Sequence, residues 1–152
     1  MKIALIINPY TVKIKNFMLL ADKRLKKAGI QYDLFITQYH GHVSELIKNM
    51  GVEEYDGIVS AGGDGTNYHV LNGLLKYHHD KELPKLGIIP VGRGNSFAMD
   101  LGIHTIDDGF AALLRQSVRA VDVCCFTQGA KLHYLVCFIG PLPLDFTSWT
   151  WK

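Results

Sequence analysis

The stretch Ser60-Ala61-Gly62-Gly63-Asp64-Gly65-Thr66 sets three glycines around one carboxylate and one hydroxyl, after the β-branched run Gly57-Ile58-Val59. A chain without Cβ atoms can turn sharply and bring backbone N–H groups against a phosphate. The amphipathic segment Tyr68 to Leu75 reads as part of a helix beginning near Thr66, whose partial positive end would face the same anion. Asp64 is unsuited to holding phosphate, because like charges repel. It suits a proton acceptor or a magnesium ligand. This order of residue types points to phosphoryl transfer from a nucleotide. Gly-Gly-Asp-Gly is also compatible with an ordinary tight turn.

A second glycine loop stands in an equivalent setting. Leu86-Gly87-Ile88-Ile89-Pro90-Val91 reads as a buried strand, and Gly92-Arg93-Gly94-Asn95-Ser96 follows before another apolar-periodic segment. Two strand–glycine loop–helix junctions in one α/β region would line the same edge of a parallel sheet. That edge, at the carboxyl ends of the strands, is where such folds bind ligands.

Three blocks together resemble the diacylglycerol kinase catalytic domain family, which includes diacylglycerol, sphingosine and ceramide kinases and bacterial lipid-kinase relatives. They are Asn8-Pro9 after the first strand; Gly62-Gly63-Asp64-Gly65-Thr66 ahead of Val70-Leu71-Asn72-Gly73-Leu74; and Ile89-Pro90-Val91-Gly92-Arg93-Gly94-Asn95-Ser96-Phe97-Ala98 running into Asp100-Leu101-Gly102. Order and rough spacing match over about residues 1 to 125. The second block is shared with NAD kinases; the third points to the lipid-kinase branch.

The resemblance implies a Rossmann-like parallel sheet flanked by helices, followed by a β-rich second domain, with ATP and Mg2+ in the cleft between them. It implies transfer of the ATP γ-phosphoryl to a lipid hydroxyl, on a diacylglycerol or sphingoid-type acceptor. By position, Asn8, Pro9, Gly62, Gly63, Gly65, Thr66, Gly92, Arg93, Gly94 and Asn95 would contact the nucleotide. Asp64 would be the catalytic residue, and no metal ligand is assigned beyond its alternative role. Asn8 also fits a turn-former before Pro9, Thr66 an N-cap, and Arg93 a solvated loop residue. The family pattern is departed from at Tyr10-Thr11-Val12-Lys13, at Arg93 where Thr or Ser is usual, and at His69 where Glu is frequent. Arg93 could compensate as a forked phosphate donor.

The elements that must position these loops follow from periodicity. Lys2 to Ile7 is an apolar strand ended by Pro9. Phe17, Leu20, Ala21 and Leu25 recur at helical spacing, stopped by Gly29. Gln31 to Thr37 alternates as a strand, His42 to Met50 forms a helix, and Tyr55 to Ala61 is the strand entering the first loop. A helix to Tyr77 presents Val70, Leu71 and Leu74 inward. Strand and second loop follow, then short helix Ser96 to Leu101. Thr105 can cap the helix Ile106 to Arg115, with Asp107 and Asp108 in its first turn. Arg119 to Phe126 and Lys131 to Ile139 read as a β-hairpin around the turn Thr127-Gln128-Gly129-Ala130. Strands alternating with helices argue a parallel α/β sheet. The expected division is a nucleotide-binding domain over 1–118 and the incomplete start of a β-rich domain over 119–152.

With 152 residues, the chain supports one sizeable core and not a second complete domain. The expectation is a chain truncated after its N-terminal domain, since no family pattern is found after Gly140, where Pro141, Pro143, Trp149 and Trp151 lie. A net charge of +2 does not argue for nucleic acid as a partner. Lys23, Arg24, Lys26 and Lys27 form a basic cluster that is either a solvated helix face or a contact for acidic lipid head groups. No segment has the length and apolarity of a membrane span, so the expected location is cytoplasmic, peripheral at a membrane surface where the lipid substrate lies. Cys124, Cys125 and Cys137 read as reduced thiols, and adjacent cysteines on a strand face opposite ways. His40, His42, His78 and His79 read as surface residues. Exposed strands of a truncated hairpin could drive self-association. A non-catalytic nucleotide-binding fragment or pseudoenzyme is the main alternative to a lipid kinase, and an NAD kinase a more distant one.

Overall fold

The computed structural model describes residues 1–10, 13–39 and 41–135. Thr11, Val12, His40, Cys137, Trp149, Trp151 and the last part of the strand expected over 131–139 lie outside the described residues. Strands β1 (Lys2–Ile7), β2 (Gln31–Ile36), β3 (Gly57–Gly62) and β4 (Lys85–Pro90) form one parallel sheet in the order β2-β1-β3-β4. Helices α1 (Ile14–Lys27), α2 (His42–Asn49), α3 (Asp64–Tyr77), α4 (Ser96–Asp100) and α5 (Ile106–Leu114) connect and cover it. An antiparallel hairpin, β5 (Cys124–Gln128) and β6 (Lys131–Leu135), follows. The fold is thus the expected α/β sheet flanked by helices with a small terminal hairpin.

The continuous apolar run in β1 follows from cover on both faces, as in parallel sheets generally. Ile3, Leu5 and Ile7 join Val59, Ala61 and Ile89 in a core with Phe17, Ala21 and Leu25 of α1 and Phe110 of α5. The alternate residues Ala4, Ile6 and Ile58 join Val43 and Ile47 of α2 and Val70 and Leu74 of α3. The period of two in the strands and of 3.6 in the helices therefore sorts the side chains into two cores, one on each side of the sheet. Because β2 and β3 flank β1 on opposite sides, strand order reverses at β1/β3, and in folds of this kind ligands bind beyond the carboxyl ends of the strands at such a point.

The local signals mostly act where they stand. Gly29 adopts a left-handed φ of 67° just past α1. Thr105 Oγ1 accepts from Asp108 N at 3.1 Å, and Asp108 Oδ2 accepts from Thr105 N at 2.8 Å, a reciprocal capping box at the head of α5. Arg24 pairs with Asp107 and lies over the Phe110 ring, tying α1 to α5. Cys124 and Cys125 are free thiols.

Three expectations change. Residues 119–123 are not strand, and β5 begins only at Cys124, where β6 first supplies a partner; alternation without a partner does not make a strand. The turn is correspondingly tighter, Gly129-Ala130. The strand expected from Tyr55 begins at Gly57, because Val52–Glu54 form a 3₁₀ turn. His78 is buried, not a surface residue: it is 5% exposed and its Nε2–H donates to Ile47 O at 2.7 Å, pinning the end of α3 to α2. Among the described residues no helix is long and apolar enough to cross a membrane.

Hydrogen bonds from the Thr105 hydroxyl and then the Thr105 amide hold the Asp108 carboxyl below its ordinary range. Its folded value is depressed, so its contribution is present above the unfolded carboxylate pKa and is lost as pH falls through the folded value. Asp108→Ala should lower the melting temperature at pH 7, and the gap to the wild type should close on acidification below the carboxylate range. Thermal melts at stepped pH check this; a gap independent of pH counts against it.

Candidate active site

The two glycine turns leave the carboxyl ends of neighbouring strands. β3 and β4 pair through Gly62↔Pro90, and Val91 N donates to Gly62 O at 3.1 Å, so both turns start at one level of the sheet. They touch backbone to backbone. A Cβ on Gly92 would lie 2.4 Å from Gly63 Cα and 3.0 Å from Gly63 N, well inside any permitted contact. At Gly62 a Cβ would fall 2.3 Å from Thr66 Oγ1, because the buried Thr66 side chain packs back over it.

Gly63 is the N-cap of α3, and its carbonyl accepts from Thr66 N at 3.0 Å and Asn67 N at 3.1 Å. The helix therefore starts at Asp64 rather than near Thr66, and Thr66 is not the cap. This places the amides of Asp64 and Gly65 in the first turn, where helix N–H groups have no intrahelical acceptor and the helix dipole is positive. Gly65 is exposed, and a Cβ there would meet nothing within 4 Å. The fold itself does not require glycine at 65.

Asp64 is half-buried at the head of α3. Its Oδ2 accepts from Ser96 N at 3.1 Å and its Oδ1 from Phe97 N at 3.2 Å, so α4 fixes the carboxylate plane. Each oxygen keeps a further lone pair for another donor. The same carboxylate lines a cavity of about 260 Å³. Asn67, Ser96 and Asp100 supply its other polar atoms, while Tyr68, Leu71, Leu86, Phe97 and Leu135 make most of the wall.

The second turn is shaped from within. Asn95 adopts a left-handed φ of 57°, a conformation Asn tolerates better than most residues. Its Oδ1 accepts from Gly92 N at 3.0 Å and its Nδ2 donates to Gly92 O at 2.8 Å. The side chain thereby staples the turn that approaches Gly63. Gly94 is exposed beside the acid, where a Cβ would lie 3.0 Å from Asp64 Oδ2. Arg93 is exposed on the same turn. Asn8 and Pro9 stand one strand over: Asn8 N continues the ladder to Ala61 O at 3.1 Å, and Asn8 Oδ1 accepts from Tyr10 N at 3.1 Å in a turn.

The structure thus gathers Gly62, Gly63, Asp64, Gly65, Gly92, Arg93, Gly94 and Asn95 at one edge, with Asn8 and Pro9 at its side. Of the nine residues lining the cavity only Asp64 was named as a site residue from sequence; the polar ones missed are Asn67, Tyr68, Ser96 and Asp100. Asp100 falls four residues after Ser96, one turn along α4, which was the available signal. Asn67 Oδ1 accepts from the buried Ser60 hydroxyl at 2.7 Å, linking α3 to β3 beneath the cavity. Among the described residues no cluster of three or more His, Cys, Asp or Glu is placed to hold a metal.

A family model described as the diacylglycerol kinase catalytic domain matches residues 2–126. The chain is 33% identical over 157 residues to human sphingosine kinase 2, covering 98% of this chain and 22% of that protein. It is 30% identical over 149 residues to sphingosine kinase 1 of Arabidopsis thaliana, covering 91% and 31%. Against the diacylglycerol kinase of Bacillus subtilis the figures are 37% over 103 residues, 66% and 33%. A crystal structure of a diacylglycerol kinase from Bacillus anthracis superposes with a TM-score of 0.70 at 27% identity, covering 80% of this chain and 41% of that one. The chain therefore spans a third or less of the length of these three curated relatives.

The geometry separates glycines that the fold needs from one it does not. Gly92→Ala should cost about 1–3 kcal/mol or more, since backbone must move to admit the methyl. Gly65→Ala should leave stability unchanged or raise it by up to about 1 kcal/mol, as Ala is the better helix former. Denaturant unfolding of both variants checks this, and equal destabilisation would refute the distinction.

Proposed function

The chain belongs to the diacylglycerol kinase catalytic domain family, and on that footing we propose that it is the ATP-binding part of a lipid kinase. Its reaction is transfer of the ATP γ-phosphoryl to a lipid hydroxyl, of diacylglycerol or sphingoid type. The observation that carries the reading is the backbone contact of Gly63 with Gly92 beside Asp64. It brings the first-turn amides of α3 and the amides of the second turn to one concave edge, with a fixed carboxylate next to a mostly apolar cavity. In this reading residues 1–118 are the nucleotide-binding domain and 119–152 open a β-rich domain. The protein works in the cytoplasm, peripheral at a membrane surface.

Phosphoryl transfer depends chiefly on positioning and electrostatic stabilisation. The amides of Asp64 and Gly65, with those of Arg93, Gly94 and Asn95, receive the phosphate oxygens, the Gly92 amide being taken by Asn95 Oδ1. Arg93, exposed at that turn, reaches the outermost phosphate with a forked guanidinium. Asp64 is held off the phosphates by its bonds to Ser96 and Phe97 and faces the cavity, where it accepts the proton of the acceptor hydroxyl. Leu71, Leu86, Phe97 and Leu135 give the acceptor an apolar surface. Magnesium binds through one or two carboxylates together with phosphates and water. Asp100, which shares the cavity with Asp64, fits that requirement as a single carboxylate and would hold the ion, which when bound neutralises phosphate charge.

Asp64→Asn should lower transfer to diacylglycerol or sphingosine by about 10²-fold or more, the usual worth of a positioned base. ATP affinity should stay within a few-fold. Gly65→Ala should weaken ATP about tenfold by crowding the phosphates, roughly the loss of one hydrogen bond to a charged group. Radiolabelled transfer and calorimetric titration measure both. Full turnover by Asp64→Asn removes the base role; ATP binding without turnover by the wild type favours a non-catalytic nucleotide-binding protein.

A further inference from the structure

Asn72-Gly73 is a turn-forming pair in the middle of a 14-residue helix, where both residues cost helix stability. Gly73 has a packing reason, since a Cβ there would lie 2.9 Å from Ile47 Cβ on α2. Asn72 has a different one. Its Nδ2 donates to Tyr134 O at 2.7 Å, its Oδ1 accepts from Tyr134 N at 2.8 Å, and Nδ2 also donates to Tyr68 O at 2.8 Å. One side-chain amide thus pairs with both backbone groups of Tyr134, as a neighbouring strand would. Only a side chain of this length with a donor and an acceptor in one plane can do so.

The pairing lies on the stripe of α3 that carries the site. Asp64, Tyr68, Leu71 and Asn72 recur at i, i+4, i+7 and i+8, one face of a helix. Tyr68 and Leu71 line the cavity with Asp64, and Tyr68 Oη shares a hydrogen bond with Nδ1 of His133, the residue before Tyr134. Leu135, the residue after it, lines the same cavity. The His133 ring stacks on Phe126 of β5, so both strands of the hairpin are held by this contact.

We infer that Asn72 is a positioning residue: by latching β6 to α3 it fixes Leu135 opposite Asp64 and so sets the cavity that receives the acceptor chain. The inference rests on the acceptor reading of that cavity given above. Asn72 touches neither nucleotide turn, so its loss acts on the acceptor and not on ATP.

The test is Asn72→Ala in the full chain, a change that favours the helix itself. Three measurements are made: the melting temperature, amide hydrogen exchange, and binding of fluorescently labelled diacylglycerol and sphingosine in detergent micelles, with ATP titration as control. The expected result is an unchanged or higher melting temperature. Exchange at Tyr134 and Leu135 should be at least tenfold faster, with β1 and β3 unaltered. Affinity for the better-bound lipid probe should drop fivefold or more, with ATP affinity unchanged. Unchanged exchange in the hairpin overturns the latch. Faster exchange with unaltered probe affinity overturns its role in the cavity, as does failure of the wild type to bind either probe. Phosphate transfer is scored separately: its absence in the wild type counts against the kinase reading, while exchange and probe binding still decide the latch.

Discussion

The closest approach of backbone to backbone in the site is between Gly63 and Gly92, where a Cβ on the second would stand 2.4 Å from the Cα of the first. Everything functional is arranged around that contact. It requires β3 and β4 to be adjacent, parallel and in the register Gly62↔Pro90, which fixes the level at which both turns begin. It requires Asn95 to hold a left-handed conformation and hydrogen-bond Gly92 on both its N–H and its carbonyl. It also leaves α3 and α4 starting side by side, so that the first residue of one helix accepts from the first two amides of the other. A chain with side chains at 63 and 92 would hold these helices further apart, and Asp64 would lose its fixed orientation.

How much of this was legible in the sequence depended on how local the cause was. The two cores were readable because β1 alternates Ile3, Leu5 and Ile7 with Ala4 and Ile6, and because α1 repeats Phe17, Ala21 and Leu25. The glycine turns were readable as a pair because each follows an apolar strand. The start of α3 was misplaced by two residues, since Gly63 caps through its carbonyl and its extended backbone, with no side-chain signature. His78 was misread because its partner, Ile47 O, is 31 residues away and no local pattern announces it. The start of β5 was misread for a related reason: Ala120, Val121 and Val123 alternate correctly, yet a strand exists only where another strand pairs with it.

Residues around the site also divide by what demands them. Gly62 and Gly92 are demanded by the protein's own packing, a Cβ on Gly63 would press on Gly92 Cα at 3.2 Å, and Thr66 and Asn95 are demanded by the turns they brace. Gly65 is demanded by nothing within 4 Å, although it sits in a helical turn where Ala would serve the backbone better. The proposed nucleotide site would explain a glycine that helix propensity disfavours, exposed at the positive end of a helix and beside a carboxylate-lined cavity, since a ligand there must come close to its backbone. Phosphate oxygens are the group for which such first-turn amides are suited. The fold accounts for how the turns are built, and the chemistry accounts for the one place where the fold has no preference.

The same helix carries both halves of the site. In the proposed reading its first turn serves the phosphates; its cavity-facing stripe runs from Asp64 through Tyr68 and Leu71, and Asn72 at the next turn receives Tyr134 of the hairpin. Distances between acid, cavity wall and hairpin are therefore set along one rigid rod rather than across a flexible connection, as the proposed pairing of base and acceptor requires. The poor helix formers at 72 and 73 are offset by what lies outside the helix, a backbone partner on one side and the close approach of α2 on the other. Local propensity yields to tertiary contact at the positions where α3 joins the hairpin to the sheet, and these are the positions on which the shape of the cavity depends.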